Sequence, residues 1–180
     1  MSELRSKIGK SSKAKGATAE REVRDIIQAW WRQLESTCIF ARTPGSGGFG
    51  GFGGSRLRGD FKAAGDLMVA GSVHWCFTTE VKRREGWSDR ELGAGRGSPV
   101  WSWWEQCVVA AIEEERWPMM WFRRSKTPWL VMLAADYVVR VPQLMPSLYA
   151  WGRGLNVNPH PVVYLAKTVL AVHPKHMVVR

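Results

Sequence analysis

Two acids and a lysine stand where they could hold a hard cation and a phosphate. The stretch Gly65-Asp66-Leu-Met-Val-Ala-Gly71 is answered by Trp75-Cys-Phe-Thr-Thr-Glu80-Val81-Lys82. Both halves carry strand formers, and Gly71-Ser72 between them is turn material. A hairpin folded about Val73 predicts Asp66 opposite Glu80, and strand alternation puts Glu80 and Lys82 on one face. Oxygen donors of this kind suit a divalent cation, and the lysine suits a phosphate. The plainer alternative is a solvated hairpin face on which Glu80 and Lys82 simply pair.

The flanking segments must position these residues. From about Gly16 to about Glu35 the spacing of Val23, Ile27, Trp30 and Leu34 predicts an amphipathic helix, with Thr18 as a partial cap. At about 100° per residue, Glu20 falls roughly 60° from the centre of that stripe, while Glu22 and Asp25 point further away. A carboxylate bordering a buried face needs a cationic partner, or else serves the helix dipole. Thr37–Arg42 reads as a strand running into a glycine-rich loop, Thr43 to Gly59, whose ends carry Arg42, Arg56 and Arg58. Glycines there suit close backbone approach to phosphates. No G-K-[ST] follows, so it is not a P-loop.

After the predicted hairpin, Arg83 and Arg84 leave the sheet as candidate DNA contacts, with Arg42, Arg56 and Arg58, and Ser88–Ser98 forms a second polar, glycine-marked loop. Pro99 opens a helix over about Trp101–Arg116, with Trp101, Trp104, Val108 and Ile112 as its stripe and Cys107 and Ala111 beside it. Met119–Phe122 and Trp129–Leu133 read as core strands around an Arg123-Arg124 turn. Prolines 142, 146, 159 and 161 break the later pattern, leaving Val162–Leu165, Val169–Val172 and Met177–Val179 as short strand candidates. The order helix, strand, hairpin, helix, strand predicts an α/β fold: a mixed central sheet flanked by helices. Residues 1–15 read as a flexible basic arm, 16–135 as a core, and 136–180 as a C-terminal extension packed on it, all within one domain.

A formal charge of +10 over 180 residues, with 45% hydrophobic and 23% charged side chains, describes a globular chain with a polyanionic partner. No apolar run is long enough to span a bilayer and no signal peptide is visible, so the expected partner is nucleic acid and the expected location cytoplasmic. Lys13 and Lys15 in the arm suit phosphate contact. Cys38, Cys76 and Cys107 have no metal spacing and read as core residues, and the four histidines are not spaced as ligands. Of the eleven tryptophans, most fall in periodic segments and read as core, whereas Trp87 and Trp151 fall in loops and could stack on bases.

Taken together, Lys15-Gly16-Ala-Thr-Ala-Glu20-Arg21-Glu22, Arg42-Thr-Pro-Gly-Ser46-Gly47, Gly65-Asp66 and Thr79-Glu80-Val81-Lys82 resemble the PD-(D/E)XK nuclease superfamily. The closest likeness is to archaeal-type Holliday junction resolvases and their phage relatives, over roughly residues 15 to 125. The resemblance implies an αβββαβ restriction-endonuclease-like core and a metal-dependent endonuclease acting on branched or duplex DNA as a homodimer. It implies that Asp66, Glu80 and the Val81 carbonyl hold Mg²⁺, with Mn²⁺ as a substitute, and that Glu20 completes or adjoins the site. Such a metal polarises the scissile phosphate and activates a water. Lys82 would orient the water, help deprotonate it, or steady the transition state. Ser46 aligns with a serine near the family's active site, and Gln106 resembles the glutamine of a Q-x-x-x-Y element whose tyrosine is Ala110 here. Asp60, in Arg58-Gly59-Asp60, is the alternative metal ligand, disfavoured by hairpin register. The readings left open beside a resolvase are a nuclease for other DNA or RNA and a non-catalytic basic DNA-binding protein.

Overall fold

The structure, a computed structural model, describes residues 2–43, 62–72, 74–92, 98–147, 150–151 and 160–179. Ser46, Arg56, Arg58 and Asp60 lie outside the described residues, as does the side chain of Lys13.

Helix α1 spans Ser2–Trp31 and buries Ala19, Val23, Ile27, Trp30 and Trp31, the stripe that its spacing demands. It begins at Ser2, so the expected arm over residues 2–15 is helical. No proline interrupts that run, and extending a docked helix needs no second nucleus. Thr18 is accordingly no cap: it lies inside the helix, its hydroxyl donating back to the Ala14 carbonyl at 2.9 Å.

Strands β1 (Ile39–Arg42), β2 (Lys62–Ala64) and β3 (Leu67–Ala70) form an antiparallel sheet in the order β1-β3-β2. β4 (Phe77–Arg83), β5 (Trp117–Arg123), β6 (Leu130–Ala134), β7 (Ala150–Trp151) and β8 (Pro161–Leu165) form a second sheet, ordered β4-β5-β6-β8-β7. β4 and β5 are parallel and the other pairs antiparallel, so the sheet is mixed. The parallel pair is joined by helix α2 (Pro99–Glu113), the crossover that such a pair requires. Ser98 caps α2 by accepting from Val100 N, and Pro99 fills the first turn. This mixed α/β arrangement is the restriction-endonuclease-like core expected of the chain.

The hairpin about Val73 does not form as a ladder. β3 pairs with β1 on one edge and β2 on the other, which leaves no free edge for β4. Among the described residues, the one backbone bridge between the two halves is a parallel one, Gly65 to Thr79. Phe40, Trp75, Phe77 and Tyr137 then tie the two sheets together, as successive edge-to-face pairs with centroids 4.8, 5.1 and 4.9 Å apart.

Residues past 136 supply β8 to the second sheet, so this part of the chain is built into the core. Helices α3 (Ala135–Val138) and α4 (Ala166–Ala171) follow β6 and β8 directly. Val169–Val172, expected as a strand, falls mostly in α4, and Met177 closes a 3-10 turn, Pro174–Met177. Their short apolar runs carry no period long enough to separate helix from strand. Tyr137 and Trp30 anchor this region by donating to the Met177 and Val172 carbonyls at 2.6 and 2.9 Å. Ile112, expected in the stripe of α2, is 69% exposed; the buried face runs through Val100, Trp101, Trp104, Cys107, Val108 and Ala111. Trp87 is buried against Phe122 and beneath Arg124, not free to stack on bases. The side chain of Trp151 is outside the described set. Among the described residues, no helix is long and apolar enough to cross a membrane.

Candidate active site

The bridge at Gly65 is the pivot of the site. Gly65 has φ +70°, and a Cβ there would lie 2.9 Å from the Thr79 carbonyl carbon and closer still to its oxygen. Only glycine lets the two backbones approach so closely. The approach allows Asp66 N to donate to the Thr79 carbonyl at 2.7 Å, while the Asp66 carbonyl accepts from Thr43 N at 3.0 Å. Asp66 is thereby set beside Glu80. The predicted adjacency holds, although a crossing of two sheets creates it and not a hairpin.

Asp66 and Glu80 are 4% and 8% exposed. Asp66 Oδ2 accepts from Val81 N at 2.8 Å, which leaves Oδ1 for another ligand. Glu80 pairs with Lys82, its neighbour on the same face of β4. Burial, and then the charge of Glu80, push the Asp66 carboxyl up to about 7; the Val81 bond and Lys82 pull the other way, and Glu20 adds to the rise. Three acids thus share one electrostatic neighbourhood with a single lysine.

Glu20, 5% exposed on α1, is close enough for Asp66 to feel its charge, but its Oε2 is held by Arg42 through Nε and Nη2, each at 2.5 Å. Arg42, expected to meet DNA, therefore supplies the cationic partner that a buried Glu20 requires. Among the described residues, no three His, Cys, Asp or Glu side chains form a ready metal cage. The oxygens that could hold a cation are Asp66 Oδ1, Glu80 and the Val81 carbonyl. They are hard oxygens beside a carboxyl whose charge is disfavoured by its neighbours, and this fits Mg²⁺.

Gln106 is not brought to this cluster: it lies on the exposed face of α2. The adjacent Cys107 faces inward, its thiol 3.8 Å from the Thr78 carbonyl. Lys15 and Arg84 are exposed and Arg83 half-buried. The sequence reading missed a second ion pair, Glu22 with Arg123 at 2.5 Å, backed by Trp129, which donates to Glu22 at 3.0 Å and lies beneath the Arg123 guanidinium. The signal available was an arginine at the very end of a core strand, read instead as part of a turn.

The Asp66 carboxyl makes stability fall with pH in the metal-free protein. Its folded value lies above the ordinary value of 3.8, so the folded state holds the proton more tightly. The contribution is complete below about pH 4 and is lost as pH rises through about 7, by up to a few kcal/mol. Thermal melts in EDTA across this range should show the decline, and Asp66→Asn should flatten it. An equal decline in the variant would assign the effect to another group.

Comparison with known proteins gives the family of the chain. A family model described as "Phage putative PDDEXK endonuclease" matches residues 11–149. Protein D14 of Escherichia phage T5 is 29% identical over 126 residues, which cover 68% of this chain and 70% of that protein. No solved structure matches. The family match spans the first sheet, β4 to β6 of the second and every residue of the acid cluster, and the chain belongs to this family of phage PDDEXK endonucleases.

Proposed function

We propose that the protein is a Mg²⁺-dependent DNA endonuclease selective for branched substrates, a Holliday junction resolvase working as a homodimer. The observation that carries the cutting site is the Gly65–Thr79 bridge, which brings Asp66 against the Glu80-Val81-Lys82 strand. An isolated basic binder gains nothing from buried acids inside its cationic surface, where they repel phosphate. The resolvase reading is supported by the likeness of the motifs to junction resolvases. Symmetric cutting of two strands calls for an isologous dimer.

Asp66, Glu80 and the Val81 carbonyl hold the metal, with Mn²⁺ able to replace Mg²⁺ at the same oxygens. Bound there, the ion supplies Lewis acidity toward the phosphate and a lowered pKa for its water. Val81 N keeps the Asp66 carboxylate in one orientation. Lys82, already balancing Glu80, stands to donate to the attacking water or to the charge that grows on the phosphate. Glu20, restrained by Arg42, holds negative charge at the edge of the site.

The test incubates the protein with a four-way junction, a linear duplex and single strands in Mg²⁺, Mn²⁺ or EDTA. The junction should be cut with either metal, not in EDTA, and at least about tenfold faster than the duplex, a modest transition-state preference. Equal rates on duplex and junction would retain the nuclease and remove the resolvase reading. Binding without cutting would favour a non-catalytic DNA binder. Light scattering should give twice the chain mass; a monomer would remove the dimer.

A further inference from the structure

The ends of β4 and β5 carry more positive charge than the described residues neutralise. Arg83 and Arg123 are register partners on the parallel pair, so their side chains leave the same face of the sheet side by side. The next residues, Arg84 and Arg124, are arginines as well. Arg124 is satisfied: it donates to the Trp87 carbonyl and Asp89 at 3.1 and 3.2 Å and lies over the Trp87 ring. Arg123 has one carboxylate, Glu22, on Nη2 alone. Arg83 has no ion-pair partner among the described residues.

The Nε atoms of both Arg83 and Arg123 are buried and bonded to nothing among the described residues. An unsatisfied buried N–H is costly, and two on adjacent like-charged side chains need an explanation. A guanidinium binds a phosphate side-on through Nε and one Nη. Glu22 uses only one of those two donors on Arg123, whereas a phosphate oxygen pair would use both. Lys15 of α1 lies within electrostatic reach of Glu85 at this same end of the molecule. Lys82, one residue before Arg83, belongs to the acid cluster.

We propose that Arg83 and Arg123 form a clamp for a DNA phosphate other than the scissile one, and that Glu22 is the placeholder anion that keeps Arg123 oriented until DNA arrives. Arg123 is then a positioning residue that fixes the strand relative to the acid cluster, and Trp129 keeps its guanidinium plane in place by stacking. The proposal rests on the nuclease reading only in taking DNA as the ligand.

Binding of a fluorescein-labelled linear duplex, followed by anisotropy with Ca²⁺ in place of Mg²⁺ over a range of salt, tests it. Arg83→Gln and Arg123→Gln should each raise Kd about tenfold or more and reduce the slope of log Kd against log salt, by up to about 0.9 for the one phosphate they share. Glu22→Gln should tighten binding severalfold by freeing Arg123. Parental Kd and slope in both arginine variants would overturn the clamp, as would a parent that fails to bind duplex. Weaker binding by Glu22→Gln would overturn the placeholder role. Melting curves identify a variant that does not fold; Arg83→Gln, which breaks no ion pair, then decides the matter. Loss of slope in the variants with no cutting by the parent would sink the nuclease reading and leave the clamp. Normal cutting with unchanged slopes would do the reverse.

Discussion

Glu80→Ala should yield a protein that binds branched DNA and does not cut it. Glu80 is buried beside Asp66 and balanced by Lys82, so its loss removes a proposed cation ligand and disorders the charge around the lysine together. Removing one group that stabilises transition-state charge costs about 10² to 10³ in rate, and a lost metal ligand costs at least as much. Binding should be spared or tightened, because an acid facing phosphate is gone. The Asp66 carboxyl should titrate lower in the variant, since the Glu80 charge is the second cause of its elevation. Retained DNA binding separates this outcome from misfolding. Parental cutting by Glu80→Ala would show that the metal lies elsewhere.

Gly65→Ala should be the most damaging small substitution in the chain. At φ +70° alanine carries a backbone cost of about 1–2 kcal/mol. Its Cβ would also collide with the Thr79 carbonyl, backbone against backbone, with no flexible side chain to give way. Relief requires opening the Asp66 N to Thr79 O bond, which holds the two sheets together at the site. A total of about 3 kcal/mol or more, and a melting point lower by about 10 °C, follows for a chain of this size. Cutting should fall with it, even at temperatures where the variant is folded, because Asp66 no longer faces Glu80. Gly86 is the internal control: at φ +84° it has nothing within 4 Å of an added Cβ, so Gly86→Ala should cost only the backbone term. Equal losses in the two variants would mean that the close approach at Gly65 is unimportant.

The two substitutions bear on different levels of what the sequence could disclose. The proximity of Asp66, Glu80 and Lys82 was legible because strand alternation and the glycine before Asp66 are local signals. The route by which they meet was not. A hairpin about Val73 and a parallel bridge at Gly65 place Asp66 beside the same partner, and only the pairing of β1 and β2 on both edges of β3 distinguishes them. That pairing is non-local, and β2, three residues after a glycine-rich run, carries no alternation to announce it. The burial of Glu20 followed from its angle to the helix stripe, but its partner did not, since Arg42 lies across a chain reversal of 22 residues. Ile112 shows the same limit in reverse: it sits at helical spacing from Val108, yet it is exposed in the last turn of α2, where Ala111 takes the buried side.

The central claim is that Asp66, and not Asp60, joins Glu80 at the metal. The measurement that tests it most directly compares Mg²⁺-dependent junction cleavage by the parent, Asp66→Asn and Asp60→Asn under single-turnover conditions. Asp66→Asn should be inert at saturating Mg²⁺ while still binding the junction, and Asp60→Asn should cut as the parent does. Cutting at the parental rate by Asp66→Asn, or inactivity confined to Asp60→Asn, would contradict the site described here.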